Sequence, residues 1–192
     1  MRVHSQGGEG AISILALTLR FAVAAVLVVA ALAKARDFGA FRRTVDALTP
    51  WRQGATATAG AVVAAEATLA ALLASGLLAN GVAAATLVLF LGFAALSFWA
   101  VRRGLRVPCN CFGPGDRELG KDSLATSLLL AGATLAYWAL LRRGEPSLTL
   151  GELPLAAVLG IAAALGGRWL LAAGDLAGIV RQRRVLERDL AG

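Results

Sequence analysis

Long apolar stretches dominate the chain, and charged residues cluster between them. The first runs from about Ala11 to Ala33 and is broken only by Arg20. The second runs from about Ala55 to Ala79, broken by Glu66, and the third from Val82 to Val101. A fourth spans Ser123 to Leu141 and a fifth Leu153 to Ala173. Each is close to the ~20 residues a helix needs to cross the hydrocarbon core. Lipid offers the backbone no hydrogen-bond partner, so spans rich in alanine, leucine and valine must be helical. The pattern therefore predicts an all-α, multi-pass transmembrane helix bundle: a four-helix core with a fifth span added. The fifth stretch is the most interrupted, with Pro154, Gly160, Gly166, Gly167 and Arg168. The first is read as a span and not as a cleaved leader, because its apolar run exceeds a leader's usual 7–15 residues or so and only Arg2 precedes it as a basic side chain.

The connections divide the chain further. Residues 1–10 form a polar N-terminal segment, 11–141 the four-span unit, 142–174 the fifth span and 175–192 a basic amphipathic tail. Ala79-Asn80-Gly81 reads as a tight turn that makes spans two and three antiparallel neighbours. Within 37–50, Phe38, Phe41, Val45 and Leu48 recur at helical spacing, which predicts a helix lying along the membrane interface. In the tail, Leu176, Ile179, Leu186 and Leu190 alternate with Arg181, Arg183, Arg184 and Arg188, the pattern of a surface helix.

Composition sharpens this reading. Of 192 residues, 58% are hydrophobic and 16% charged, with a mean hydropathy of +0.70. Soluble domains carry about a quarter charged residues. A net charge of +7 and a pI near 10.9 would raise nucleic acid as the partner of a soluble chain. Here the basic residues sit in loops and tail, where they set membrane orientation, so the partner is the lipid bilayer and no nucleic acid is expected.

Chemistry concentrates in the loop 104–121, which holds the only two cysteines, Cys109 and Cys111. At this spacing their Cα atoms can fall within the window of about 4.4–6.8 Å that a disulfide needs. The small ring would be strained, and a strained disulfide exchanges readily. Pro108, Gly113, Pro114 and Gly115 shape the loop, and Arg106 would favour the thiolate that exchange requires. Two alternatives stay open: inert structural thiols, and metal ligation. Two thiolates with no nearby histidine leave a zinc site incomplete unless a dimer supplies the rest, so no metal is assigned.

Arg20 and Glu66 lie within spans one and two. A charge near the bilayer centre costs at least about 2.5 kcal/mol on insertion scales, so each should meet an opposite charge or a polar group, the two together forming an intramembrane polar site. That site either fixes helix packing or holds a proton, a quinone headgroup or another small ligand. No residue calls for a quinone or any other cofactor.

These features resemble the MauE branch of the DoxX-like membrane proteins. Leu19-Arg20-Phe21 and Ala33-Lys34-Ala35-Arg36-Asp37 look like that family's first span with its Lys-x-Arg-Asp ending, although Ala35 stands where members often carry Leu. An amphipathic stretch and Pro50 follow, then Glu66 before a Leu-Leu run. Cys109-Asn110-Cys111-Phe112-Gly113 matches the Cys-x-Cys-Phe-Gly loop. The likeness covers about 12–141. It implies a redox-associated membrane protein whose namesake supports maturation of a disulfide-rich subunit in methylamine metabolism. What carries over is thiol–disulfide exchange at Cys109 and Cys111 with a thioredoxin-like or disulfide-rich partner protein. A non-catalytic membrane scaffold or accessory subunit and a small-solute transporter are the competing classes.

Orientation pulls in two directions. With five spans, Lys34, Arg36, Arg42, Arg43 and Arg52 share a side with Arg102, Arg103, Arg106, Arg117, Lys121 and the tail, while only Arg2, Arg142 and Arg143 lie opposite. The positive-inside rule puts the cysteine loop at the cytoplasmic face of a bacterial cytoplasmic membrane. Disulfide chemistry for exported proteins calls for the outer face.

Overall fold

The computed structural model describes residues 6–48, 54–105, 120–143 and 157–162, with side chains from residue 12 onward. The cysteine loop, most of the fifth stretch and the tail fall outside these residues. Among the described residues the chain forms the helices α1 (Gln6–Arg36), α2 (Phe38–Leu48), α3 (Ala55–Ser75), α4 (Ala79–Arg103) and α5 (Lys121–Leu141), with a short helical piece at 157–162. Four of them, Ile12–Arg36 of α1 with α3, α4 and α5, are long and apolar enough to span a membrane. The all-α, multi-pass architecture expected from the hydrophobic pattern is the one observed.

The four long helices form a ring. α1 packs on α3, α3 on α4, α4 on α5, and α5 closes back onto α1. Successive helices run antiparallel: the end of α1 meets the middle of α3, while the start of α4 meets the end of α5 through a hydrogen bond from Trp138 Nε1 to Asn80 Oδ1 of 3.2 Å. Ala16, Val23, Leu27, Leu73, Ala83, Phe90 and Tyr137 fill the centre. Ala16 and Ala83 are small residues, which let spanning helices approach closely where no hydrophobic effect drives them together. Large apolar residues such as Val88 and Leu129, 70% and 73% exposed, point outward as lipid would require.

The ends of these helices show how the chain turns. Asp37 separates α1 from α2 and accepts a hydrogen bond from the Ala40 amide at 3.0 Å, the side-chain cap that lets α2 start afresh in a new direction. Phe41 and Val45 of α2 are buried against Ala55 and Ala59 of α3, with Phe38 packed beside them. This is the predicted apolar stripe, leaving Arg42 and Arg43 exposed. The link between spans two and three differs from expectation. Ala79-Asn80-Gly81 forms the first turn of α4, and the chain reverses earlier, at Gly76–Leu78. Gly76 takes φ +75 and its amide meets the carbonyls of Leu72 and Leu73, so the left-handed cap ends α3 before the Asn-Gly pair is reached. Gly104 ends α4 in the same way, at φ +63, and Leu105 folds back onto Ala100 beside Leu48 of α2.

Of the fifth stretch, residues 157–162 are helical and lie against α1. Gly160 sits so close that a Cβ there would come within 2.8 Å of the Ala22 amide nitrogen and 2.9 Å of the Thr18 carbonyl oxygen. Only glycine permits this backbone-to-backbone approach.

Gly76 is the most demanding position in the turns. A Cβ there would lie 2.8 Å from Arg20 Nη1, in addition to the strain of its positive φ. Gly76→Ala is expected to destabilise the bundle by more than about 1 kcal/mol. Gly92→Ala, where nothing lies within 4 Å of the new methyl, should be neutral or slightly stabilising. Thermal unfolding of the two purified variants, side by side, checks the contrast. A second check concerns Thr86 of α4, which is fully buried and whose hydroxyl has no hydrogen-bond partner among the described residues. Thr86→Val keeps the shape and removes the unmet donor, so it should raise stability by up to about 1 kcal/mol in the same assay.

Candidate functional site

The last turn of α1 carries Lys34 on the face that also holds Arg20 and Leu27, because seven residues bring a helix almost round to the same direction. That face is turned into the bundle, and Lys34 is 1% exposed. Its ammonium meets both carboxylate oxygens of Glu66 on α3, at 2.6 Å to Oε1 and 2.9 Å to Oε2. Glu66 is equally buried. Two aromatic rings complete the enclosure: Phe41 of α2 lies 5.4 Å from Lys34 Nζ and Phe93 of α4 lies 5.5 Å away. Each ring presents its electron-rich face to the cation, an attraction that strengthens when water is excluded. One charge pair thus draws together α1, α2, α3 and α4.

Arg20 is held elsewhere. Its Nε donates to the Leu73 carbonyl at 2.5 Å and its Nη2 to the Ala74 carbonyl at 2.7 Å. These carbonyls belong to the last turn of α3, where the helix dipole is negative, and the Leu73 oxygen accepts from Arg20 as well as from the Gly76 amide. The ring of Phe21 lies 5.2 Å from the guanidinium carbon. Arg20 and Lys34 are separated by about four turns of α1, or roughly 21 Å. The joint Arg20–Glu66 polar site expected from sequence therefore resolves into two separate devices. Glu66 is answered by Lys34, and Arg20 by backbone carbonyls, because the antiparallel packing of α1 on α3 sets Arg20 beside the end of α3 and Glu66 beside the end of α1.

Lys34 is the residue that counting charges by segment overlooks, since it stands at the edge of the apolar run and reads as a loop cation. The heptad spacing from Arg20 through Leu27 is the signal that places it on the buried face. Phe93 has no such signal; its role depends on how α4 sits against α1.

The pair occupies the half of the bundle where α1 and α4 end and α3 and α5 begin. The cysteine loop leaves α4 after Leu105 and rejoins the described residues at Gly120, at this same end. Cys109, Cys111 and Arg106 themselves lie outside the described residues. Among the described residues no group of histidine, cysteine or carboxylate side chains could hold a metal ion.

Residues 12–142 match the family described as methylamine utilisation protein MauE. The chain belongs to this family. The match begins where α1 becomes apolar, takes in the buried Lys34–Glu66 pair and the Cys-Asn-Cys-Phe-Gly loop, and stops at the residue that caps α5. No curated relative and no solved structure matches the chain. The helical piece at 157–162 and the tail lie beyond the MauE match. With four candidate spans and this membership, the protein is a multi-pass membrane protein of the MauE family.

Removing one member of a buried ion pair strands the other, at a typical cost of about 3–5 kcal/mol. Glu66→Gln and Lys34→Met are each expected to lower stability by an amount of this order. The paired replacement Lys34→Met with Glu66→Leu should recover a large part of the loss. A double-mutant cycle measured by unfolding in detergent gives the coupling directly; additive losses would rule out the pairing.

Proposed function

We propose that this MauE-family protein takes part in thiol–disulfide exchange in the bacterial cytoplasmic membrane, working through Cys109 and Cys111. The observation that carries the reading is the Cys-Asn-Cys-Phe-Gly loop, the only place in the chain with cysteines, lying inside the family-matched segment. Exchange here is a two-electron step. A thiolate of a partner dithiol attacks one sulfur of the Cys109–Cys111 disulfide, that S–S bond breaks, and the other cysteine leaves as thiolate. The partner's second thiolate then resolves the mixed disulfide. The partner ends oxidised to a disulfide and the loop pair reduced to the dithiol. Run in reverse, the same steps reduce a partner. Arg106 favours the leaving thiolate by its charge.

The partner class is a thioredoxin-like or disulfide-rich protein. Methylamine metabolism is the setting after which the family is named, and maturation of a partner protein is the corresponding role. The exposed basic residues at the loop end, Arg36, Arg42, Arg43, Arg102, Arg103 and Lys121, favour the cytoplasmic face for the loop. Lys34 no longer counts toward that balance, because its charge is matched by Glu66.

A second reading, a non-catalytic membrane scaffold, is favoured by one observation: Lys34, Glu66 and Arg20 are all engaged in holding helices together. In that case the loop cysteines would be inert.

Cys109→Ser and Cys111→Ser should each abolish exchange with a dithiol substrate, by at least about a hundredfold, while leaving the unfolding temperature within a degree or two. Retained exchange in both single variants would sink the redox reading and leave the scaffold. Labelling with a membrane-impermeant maleimide in intact cells, before and after reduction, fixes the side: labelling that requires lysis places the loop in the cytoplasm, and labelling after external reduction alone places an oxidised pair outside.

A further inference from the structure

We propose that the surface formed by α2 and the start of α3 binds the headgroup of an anionic phospholipid, with the phosphate held by Arg42 and Arg43. This goes beyond the thiol chemistry and stands independently of it.

The orientation of α2 makes the surface. Burial of Phe41 and Val45 against Ala55 and Ala59 fixes which side of α2 faces the bundle, and leaves Arg42 and Arg43 exposed on the other. Between α2 and the start of α3 lies a groove of about 270 Å³ lined, among the described residues, by Arg42, Arg43, Asp46 and Ala55. Its size is just below that of pockets for drug-sized ligands, about 300–1,000 Å³, and suits a phosphodiester with part of its glycerol. It is too small for a helix of a partner protein. Among the described lining residues, two guanidinium groups against one carboxylate leave a positive excess, and planar guanidinium groups pair with phosphate oxygens through two parallel hydrogen bonds. Asp46 can accept from a headgroup hydroxyl.

Position selects lipid over a soluble anion. Ala55 is the first residue of a span, and Thr56, Ala57 and Thr58 after it are exposed on the outside of the bundle. The groove therefore opens at the level where hydrocarbon gives way to headgroups. The end of α4 marks the same level. Arg102 lies over the exposed ring of Phe98 at 4.8 Å, and Arg103 over that of Trp99 at 5.4 Å. Aromatic rings of this kind settle at the membrane interface, and long basic side chains beside them reach to the headgroup layer. Basic residues at such a surface each contribute about a fivefold gain in affinity for anionic lipid.

The test uses the full chain purified in detergent, titrated with phosphatidylglycerol, phosphatidylethanolamine or phosphatidylcholine, with bound lipid read by native mass spectrometry. Phosphatidylglycerol should be retained preferentially, and its retention should fall as salt is raised. Arg42→Gln with Arg43→Gln should weaken it by about 25-fold, taking about fivefold per arginine. Arg142→Gln with Arg143→Gln, at the opposite end, should leave it unchanged. Should the α2 variant fail to fold, the salt titration and lipid ranking on the unaltered chain still decide the matter, as does a smaller loss with Arg102→Gln and Arg103→Gln. Equal retention of the three lipids, a preference for phosphatidylethanolamine, competition by inorganic phosphate at equal concentration, or equal losses at both ends would each overturn the proposal.

Discussion

Hydrocarbon gives a charged side chain nothing to hydrate it, so the ammonium of Lys34 and the carboxylate of Glu66 have to be brought together by the helices that carry them. Meeting that requirement fixes the depth of α1 against α3 to within the reach of two side chains. It also recruits Phe41 and Phe93, whose ring faces take up the part of the ammonium's field that the carboxylate leaves. Since Phe41 belongs to α2, the interfacial helix is tied to the buried pair as well as to α3. Asp37, three residues after Lys34, starts α2 through its cap on Ala40. The sequence from Lys34 to Phe41 thus does two tasks in turn: it closes the charge, then redirects the chain.

The spans were legible because lipid imposes a nearly one-letter alphabet on them; Ala55 and Leu141 emerged as boundaries from hydropathy alone. The stripe of Phe38, Phe41 and Val45 was equally legible, since a period of 3.6 is local information. Partner choice was not. Glu66 visibly needed a cation, yet whether Arg20 or Lys34 supplied it depended on the stagger of two antiparallel helices, which no local pattern encodes. The turn after α3 misled for a different reason. Asn80-Gly81 carries the stronger turn chemistry, but Gly76 comes first and its left-handed cap, sterically reserved by the Arg20 guanidinium, ends the helix before Asn80 is reached.

Arg20 shows a second way to hold a charge in a membrane. It has taken two carbonyls of a helix end in place of a carboxylate. The two devices stand at opposite halves of the same α1–α3 interface, so that interface is pinned at both ends and is ill suited to sliding. The α4–α5 pair is joined by the most extensive packing in the bundle and, at the end remote from the cysteine loop, by the Trp138–Asn80 hydrogen bond.

The contact at Gly160 has a bearing on assembly. By laying the Gly160 backbone against Thr18 and Ala22, residues 157–162, beyond the MauE-matched region, occupy one flank of α1. The chain brings its own occupant for that seam. While residues 157–162 hold that seam, a foreign spanning helix has to meet the bundle elsewhere, at outward-facing positions such as Leu32, Val88 and Leu129.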